Sequence, residues 1–396
     1  MKVFSYILVF IATIYLIYGF SISQFNLKSI STTSERLSTD PYDYKGVINV
    51  HSQAGQGQGT VPEILKAAYE AQLDFVIFTE SSSFEDKIPA DRYEENLLVL
   101  NGREYSYLKS RLILLDPYFD FSQIKSAGDA HLFLSDYLEK SREGFVLLKH
   151  PTKEGFEWEG EFAQGIDAIE IISLRSHWRE SWDRSKWNFI TSLLMYPFNP
   201  EYAFLNIYKN PKLNLNLWNK ISDSRPIIGL IGSDAKSKLK IFGDNYLRFP
   251  SYKQLFLLSS NHLLLNSELT GQLKADSEKV IYALSNGQFY FSLDFLGDTK
   301  GFNFTAIKDK KSYPMGQSLN AKNISLCLKK PYHTLSHTWA ILYHNGRQVF
   351  KTNKNECFRV KDKGSYNIIY YRKIDRPWPF KSLKVPWIYS NFIYLK

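Results

Sequence analysis

Polar side chains with chemical potential gather directly after apolar runs in this chain. Asn49-Val50-His51-Ser52 follows one such run, Thr79-Glu80-Ser81 another, and Asn101-Gly102-Arg103-Glu104 a third. Further along come Lys149-His150-Pro151, Ala168-Ile169-Glu170 and Gly232-Ser233-Asp234-Ala235-Lys236. Taken singly, each has a plainer explanation. A histidine after a strand is ordinarily a satisfied structural residue, and Gly-Ser-Asp is a common turn or helix cap. The succession carries more weight. In parallel α/β folds, functional residues collect where strands end, so two histidines and several carboxylates placed this way can converge on one rim. Such a nitrogen and oxygen set suits zinc, manganese or iron rather than a thiolate site.

The elements that would position these residues read as α/β. Gly46 to Val50 reads as a strand, followed by a helix with clear start signals: Thr60 at the N-cap, Pro62 in the first turn, and Glu63 where it closes a capping box. Ile64, Ala67, Ala68 and Ala71 supply its apolar face. Asp74 to Thr79, Leu97 to Leu100, Leu112 to Leu115, Phe145 to Leu148, Ala168 to Ile172 and Pro226 to Ile231 follow as short, mostly continuous apolar strands, the pattern of a parallel sheet buried on both faces. From Gly301 the texture changes. Phe302 to Ile307, Ile324 to Leu328, Trp339 to Tyr343 and Tyr366 to Tyr371 are separated by turn signals such as Asn345-Gly346 and Lys363-Gly364, which reads as an antiparallel β-sandwich. The expected division is a signal peptide or membrane anchor at 1–23, a polar linker at 24–43, the α/β part at 44–298 and the sandwich at 299–396.

Val3 to Phe20 is apolar but for Ser5, Thr13 and Gly19, just long enough to span a bilayer and long for the core of a signal peptide. Ser21-Ile22-Ser23 offers small residues at a cleavage site, without the preferred Ala-x-Ala. The protein is therefore expected to be membrane-anchored or exported, and extracytoplasmic. The 49 Lys and Arg against 40 Asp and Glu leave a net charge of +9. That balance is compatible with anionic partners, but no dense basic run or nucleic-acid motif accompanies it, so nucleic acid is not expected. Cys327 and Cys357 have no zinc-finger spacing; outside the cytoplasm they either pair or pack as free thiols.

In its order of motifs the chain resembles the PHP (polymerase and histidinol-phosphatase) family of metallohydrolases, in a subgroup with a C-terminal β-sandwich. The family's His-x-His-Ser opening and Gly-rich loop match Asn49-Val50-His51-Ser52 and Gly55 to Thr60. Its Thr-Asp-His, Gly-x-Glu, His-Pro, Gly-Ile-Asp-x-Ile-Glu and Gly-Ser-Asp-Ala-His match Thr79-Glu80-Ser81, Gly102-Arg103-Glu104, His150-Pro151, Gly165 to Glu170 and Gly232 to Lys236. Ser176 to Arg179, Phe249-Pro250-Ser251-Tyr252, Gly301-Phe302 and Pro386 to Asn391 also look similar. No single motif is specific; their order is, and it covers roughly Tyr44 to Lys396. The resemblance implies a distorted seven-stranded β/α barrel with up to three metals.

Carried over residue by residue, the first metal site would be Asn49, His51, Glu104 and Asp234, with one ligand changed. The second would be Glu104, His150 and Glu170. The third is gone: Ser81 and Lys236 stand where histidines belong, and Gln53 to Gln58 contains no acid. Two readings follow. In one, a phosphoesterase survives on one or two divalent ions (zinc, manganese or iron) that activate water against a small phosphorylated substrate. Glu104, Asp234 and Lys236 would do the catalytic work, Lys236 supplying the charge of the missing metal, and Arg103, Arg179 and Lys236 would bind phosphate. In the other, the barrel has lost catalysis and serves as an extracytoplasmic binding or structural module. Trp178, Trp182 and Trp187 either roof the pocket or pack ordinarily.

Overall fold

The computed structural model describes residues 2–396 apart from 82–89, 125, 141–143, 160–164, 175–180, 243–244 and 378–379. Its helices are α1 (Lys2–Ser23), α2 (Val61–Glu70), α3 (Ala127–Tyr137), α4 (Lys186–Met195), α5 (Pro200–Ile207), α6 (Lys212–Ser222), α7 (Tyr252–Leu258) and α8 (Leu273–Ser285). Seven strands lie side by side in chain order within one large sheet: β1 (Tyr42–Val50), β2 (Phe75–Ser81), β3 (Leu97–Tyr107), β4 (Ser110–Leu115), β5 (Phe145–Lys149), β6 (Ala168–Ser173) and β7 (Ile228–Gly232). β2 pairs in parallel with β1 and β3, as β6 does with β5 and β7. β4 runs antiparallel to both its neighbours, so the sheet is mixed and not wholly parallel. The reason is local: Tyr107 pairs with Ser110, which leaves only Leu108 and Lys109 to turn the chain, and a parallel crossover needs a dozen residues or more.

The α2 start behaves as its sequence requires. The Thr60 side chain accepts from the Glu63 amide and the Glu63 carboxylate accepts from the Thr60 amide. Beyond Gly232 the chain hydrogen-bonds back to β1, with Ser233 N donating to Ile48 O and Ala235 N to Asn49 O, and with His51 N donating to Ala235 O, each at 3.0 Å. The ends of the first and seventh strands are thus brought together. Alternation splits the strand side chains between two buried faces. Phe75, Ile77, Leu98, Leu100, Phe145, Leu147, Ala168 and Leu230 share one cluster, against which Val280, Ala283 and Leu284 of α8 pack; Val76, Phe78, Leu97, Val99, Val146 and Leu148 belong to the other. Two buried faces explain why these strands read as continuous apolar runs.

β1 also pairs with β8 (Ser260–Leu265), and β8 with β9 (Phe289–Ser292). The C-terminal strands are β10 (Asn303–Lys308), β11 (Ile324–Lys329), β12 (Thr338–His344), β13 (Arg347–Thr352), β14 (Glu356–Val360), β15 (Gly364–Ile374) and β16 (Leu383–Ser390). β9 pairs with β16, β16 with β15, β15 with β12 and β12 with β13, so half of this C-terminal region continues the large sheet. β10, β11, β14 and residues 311–313 form a separate four-stranded sheet. It meets the large one through ring contacts of Phe302 with Tyr370 and Phe350 with Phe358. Cys327 and Cys357 sit directly opposite on β11 and β14 and form a disulfide. The stretch expected as linker is docked: residues 30–33 pair with 333–335, and Lys329 and Tyr332 both bond Asp40.

Candidate functional site

The parity that fills the sheet interior also aims the site residues. Thr79, Glu104, Lys149 and Glu170 fall on the same strand faces as Ile77, Leu100, Leu147 and Ala168, two or four residues further along. At the strand ends, Asn49, His150 and Asp234 adopt left-handed backbone, with φ of 71°, 48° and 42°. These are the side-chain types that best tolerate that region, and it turns the chain sharply at the rim. Gly232, just before Asp234, leaves room for Glu170: a Cβ there would lie 1.9 Å from Glu170 Oε1.

The centre of the cluster is Lys149, a residue the sequence reading passed over in favour of its neighbour His150. Its Nζ donates to Glu104 Oε2 at 2.6 Å and to Asn49 Oδ1 at 3.0 Å, and lies 3.7 Å from Asp234 Oδ1. His51 Nε2 reaches the same three groups: Asn49 Oδ1 at 2.9 Å, Glu104 Oε2 at 3.6 Å and Asp234 Oδ1 at 3.7 Å. Asn49 ties the two halves of the cluster, because its Nδ2 donates to Glu170 Oε1 at 3.3 Å while its Oδ1 also accepts from Thr79. His150 Nδ1 is 2.8 Å from Glu170 Oε2, which also accepts from the His150 amide. All of these side chains are buried or nearly so.

Charge balance follows from this geometry. Burial alone would lower the Lys149 pKa, but Glu104, Asp234 and Glu170 outweigh it and hold the ammonium above its ordinary value. Burial likewise opposes the charge on Asp234, yet Lys236, Lys149, His150 and His51 keep its carboxyl well below the usual range. Glu170 is held down against burial by His150 and then Lys149. Glu80 shifts the other way: burial raises it, only partly offset by the Ser52 hydroxyl and amide.

The positions that would have formed a third metal site also interlock. Lys236 Nζ is 3.3 Å from Asp234 Oδ1 and donates to Gln56 Oε1 at 2.6 Å, while Gln56 Nε2 donates to Ser81 Oγ at 3.2 Å. Tyr252 braces this rim from α7, its hydroxyl donating to His51 O at 2.7 Å and Lys236 O at 3.1 Å and accepting from Gly59 N. Phe249-Pro250, just before it, is a cis peptide.

His51, Glu104, His150, Glu170 and Asp234, the expected metal ligands, are therefore brought together, with Lys236 beside them. They do not fit a divalent ion as they stand. A metal needs donor lone pairs aimed at one vacant point, and here the point nearest Asn49, Glu104 and Asp234 is taken by a fixed ammonium. His150 and Glu170 are spent on each other. Among the described residues, no three or more of His, Cys, Asp and Glu are disposed to hold an ion. Arg103, one residue out of phase with Glu104, instead lines a separate cavity of about 220 Å³ with Asp91, Asn101 and Asp116. Arg179, with Trp178, lies outside the described residues. Trp182 and Trp187 are exposed, and Trp387 is core.

No family model matches the chain, and no curated protein does. Among solved structures, a two-domain protein containing a predicted PHP-like metal-dependent phosphoesterase, from Bacteroides vulgatus, aligns over 91% of this chain and 99% of that one, at 10% identity and a TM-score of 0.41.

Proposed function

We propose that this chain is a PHP-like protein in which a lysine has taken the place of a metal. It works outside the cytoplasm, held at the membrane by α1, as a binding or structural module rather than as a metal-dependent phosphoesterase. One observation carries the reading: the buried Lys149 ammonium stands between Glu104, Asn49 and Asp234, where a cation would otherwise be held. A neutral Asn at position 49 suits that arrangement, because its carbonyl oxygen accepts from an ammonium. The Lys236–Gln56–Ser81 chain supports it too, since three replacements that contact one another form a working hydrogen-bond set.

The location rests on two features. α1 is 22 residues long, apolar and almost wholly exposed, as a membrane span or a signal sequence would be. The Cys327–Cys357 disulfide suits an oxidising compartment.

The test is metal content by mass spectrometry. The full chain would be purified in detergent without a metal-affinity tag, then offered zinc, manganese and ferrous iron. A His51→Ala/His150→Ala variant runs beside it. Far less than one equivalent bound, equal in both proteins, is the expected result. One or two equivalents in the natural chain, lost in the variant and accompanied by phosphoester hydrolysis, would restore the phosphoesterase reading.

A further inference from the structure

The helix α4 carries an apolar outer surface. Its inward side is mixed: Met195 is buried in the core and Phe189 packs against it, while Asn206 Nδ2 donates to Asn188 O at 3.3 Å, Thr191 Oγ1 at 3.2 Å and Ser192 Oγ at 2.9 Å, and Ser192 is buried. Its outward side is apolar. Trp187 is 71% exposed, Ile190 43%, Leu193 45% and Leu194 50%, at helical spacing, with Trp182 at 44% just before the helix. A surface helix in water presents charged and polar residues on its outer face, and contiguous exposed apolar side chains mark an interaction surface.

What covers this face follows from where it sits. α1 packs against the end of α4. The Tyr15 hydroxyl donates to Leu194 O at 2.9 Å, and Tyr15 meets Phe198 edge to face at 5.2 Å. Gly19 lets the Phe198 ring approach the helix, since a Cβ there would lie 2.3 Å from it. Tyr15 is five residues before Phe20, where the apolar stretch ends, a depth of about 7–8 Å along a helix. Helices lying in the boundary between headgroups and acyl chains bury their apolar face about 5–10 Å. Lys186 borders the patch with its ammonium 5.6 Å from the Trp182 ring, and tryptophan rings are enriched at membrane–water interfaces.

We propose that the face formed by Trp182, Trp187, Ile190, Leu193 and Leu194 lies in the outer leaflet of the bilayer that α1 crosses, so that the protein is seated on the membrane as well as tethered to it. This rests on the reading of α1 as an anchor, and the experiment separates the two. Both native cysteines are consumed in the disulfide, so Ile190→Cys, Trp187→Cys and Lys354→Cys each offer one free thiol for a nitroxide label. Positions 187 and 190 are exposed, as is Lys354 near the β13–β14 turn, so folding is preserved.

The full chain is reconstituted in phosphatidylcholine vesicles and floated. Relaxation by oxygen is then compared with relaxation by a water-soluble nickel chelate. Labels at 187 and 190 should favour oxygen several-fold, and the label at 354 the chelate. A chain that floats with its vesicles but gives labels at 187 and 190 as open to the chelate as 354 overturns the seating and leaves the anchor. A chain that does not float overturns both. Spin–spin broadening at 190 that vanishes on dilution with unlabelled chain would assign the face to a second copy and also overturn the proposal.

Discussion

Lys149 sits 2.6 Å from one carboxylate and 3.7 Å from another, buried in a sheet interior otherwise lined by Leu147, Leu100 and Ile77. Removing one member of a buried ion pair leaves the other charge uncompensated, which costs about 3–5 kcal/mol. Lys149→Met should therefore lower stability by that much in urea denaturation, whereas breaking the solvent-screened surface pair Lys109–Glu159 should shift it far less. Tyr252→Phe is a second test at this scale. It removes the hydroxyl shared by His51 O, Lys236 O and Gly59 N, and buried backbone groups left without that partner should cost about 1–3 kcal/mol by the same measurement. The sequence held the signal for Lys149. Residues 145, 147 and 149 share one strand face, so a buried Phe and Leu at the first two place the lysine inside. His150 drew attention because its type is a metal ligand, yet it reaches the rim only through a left-handed turn that alternation does not foretell. Tyr252 stood out only as the end of Phe249-Pro250-Ser251-Tyr252, which says nothing of its partners, since these are backbone atoms of the 51–59 loop and of Lys236.

Local rules that depend on neighbouring residues translate well at the scale of elements. The Thr60 capping box forms as written, and Asn345-Gly346 takes positive φ at both positions, the turn that matches hairpin twist. Strand direction did not translate. β4 was one more apolar run until the two-residue turn before it fixed its polarity. Likewise, nothing near residue 299 announces that β16 will return to pair with β9, because that pairing joins residues about a hundred positions apart. Cys327 and Cys357 belong to the same class: only the β11–β14 register sets them opposite each other. The disulfide closes a loop spanning a sequence separation of 30. Chain-entropy reasoning gives it about 3–4 kcal/mol, so reduction or Cys327→Ser/Cys357→Ser should lower the chemical denaturation midpoint accordingly.

The whole molecule is sewn together at a buried charge network where the α/β part meets the C-terminal strands. His262 Nδ1 is 2.7 Å from Asp43 Oδ1, its Nε2 is 3.7 Å from Asp294 Oδ1, and Lys45 approaches Asp294 at 3.0 Å. Tyr290 stacks on the imidazole and donates to Asp43. Burial works against the charge on His262, but Asp43 and Asp294 outweigh it and raise the pKa from 6.5 to about 9. A folded pKa above the unfolded one means the stabilisation is complete below pH 6.5 and is lost as pH rises through 9. The amount is on the order of 3 kcal/mol. Thermal melts from pH 6 to 10 should show that loss, and His262→Gln should flatten it. For the anchor, alkaline carbonate extraction should leave the full chain in the membrane pellet.

Between Ser23, the last residue of α1, and Ile30, the first of the docked strand, there are six residues. They are themselves held, by Asn199 on Phe25 O and by the Lys28–Glu201 pair. A free segment of that length could reach about 20 Å; a held one reaches nowhere. On the membrane span proposed above, the protein would be a plaque and not a tethered ball. It would meet other molecules at one fixed height, and its search for them would be diffusion in two dimensions.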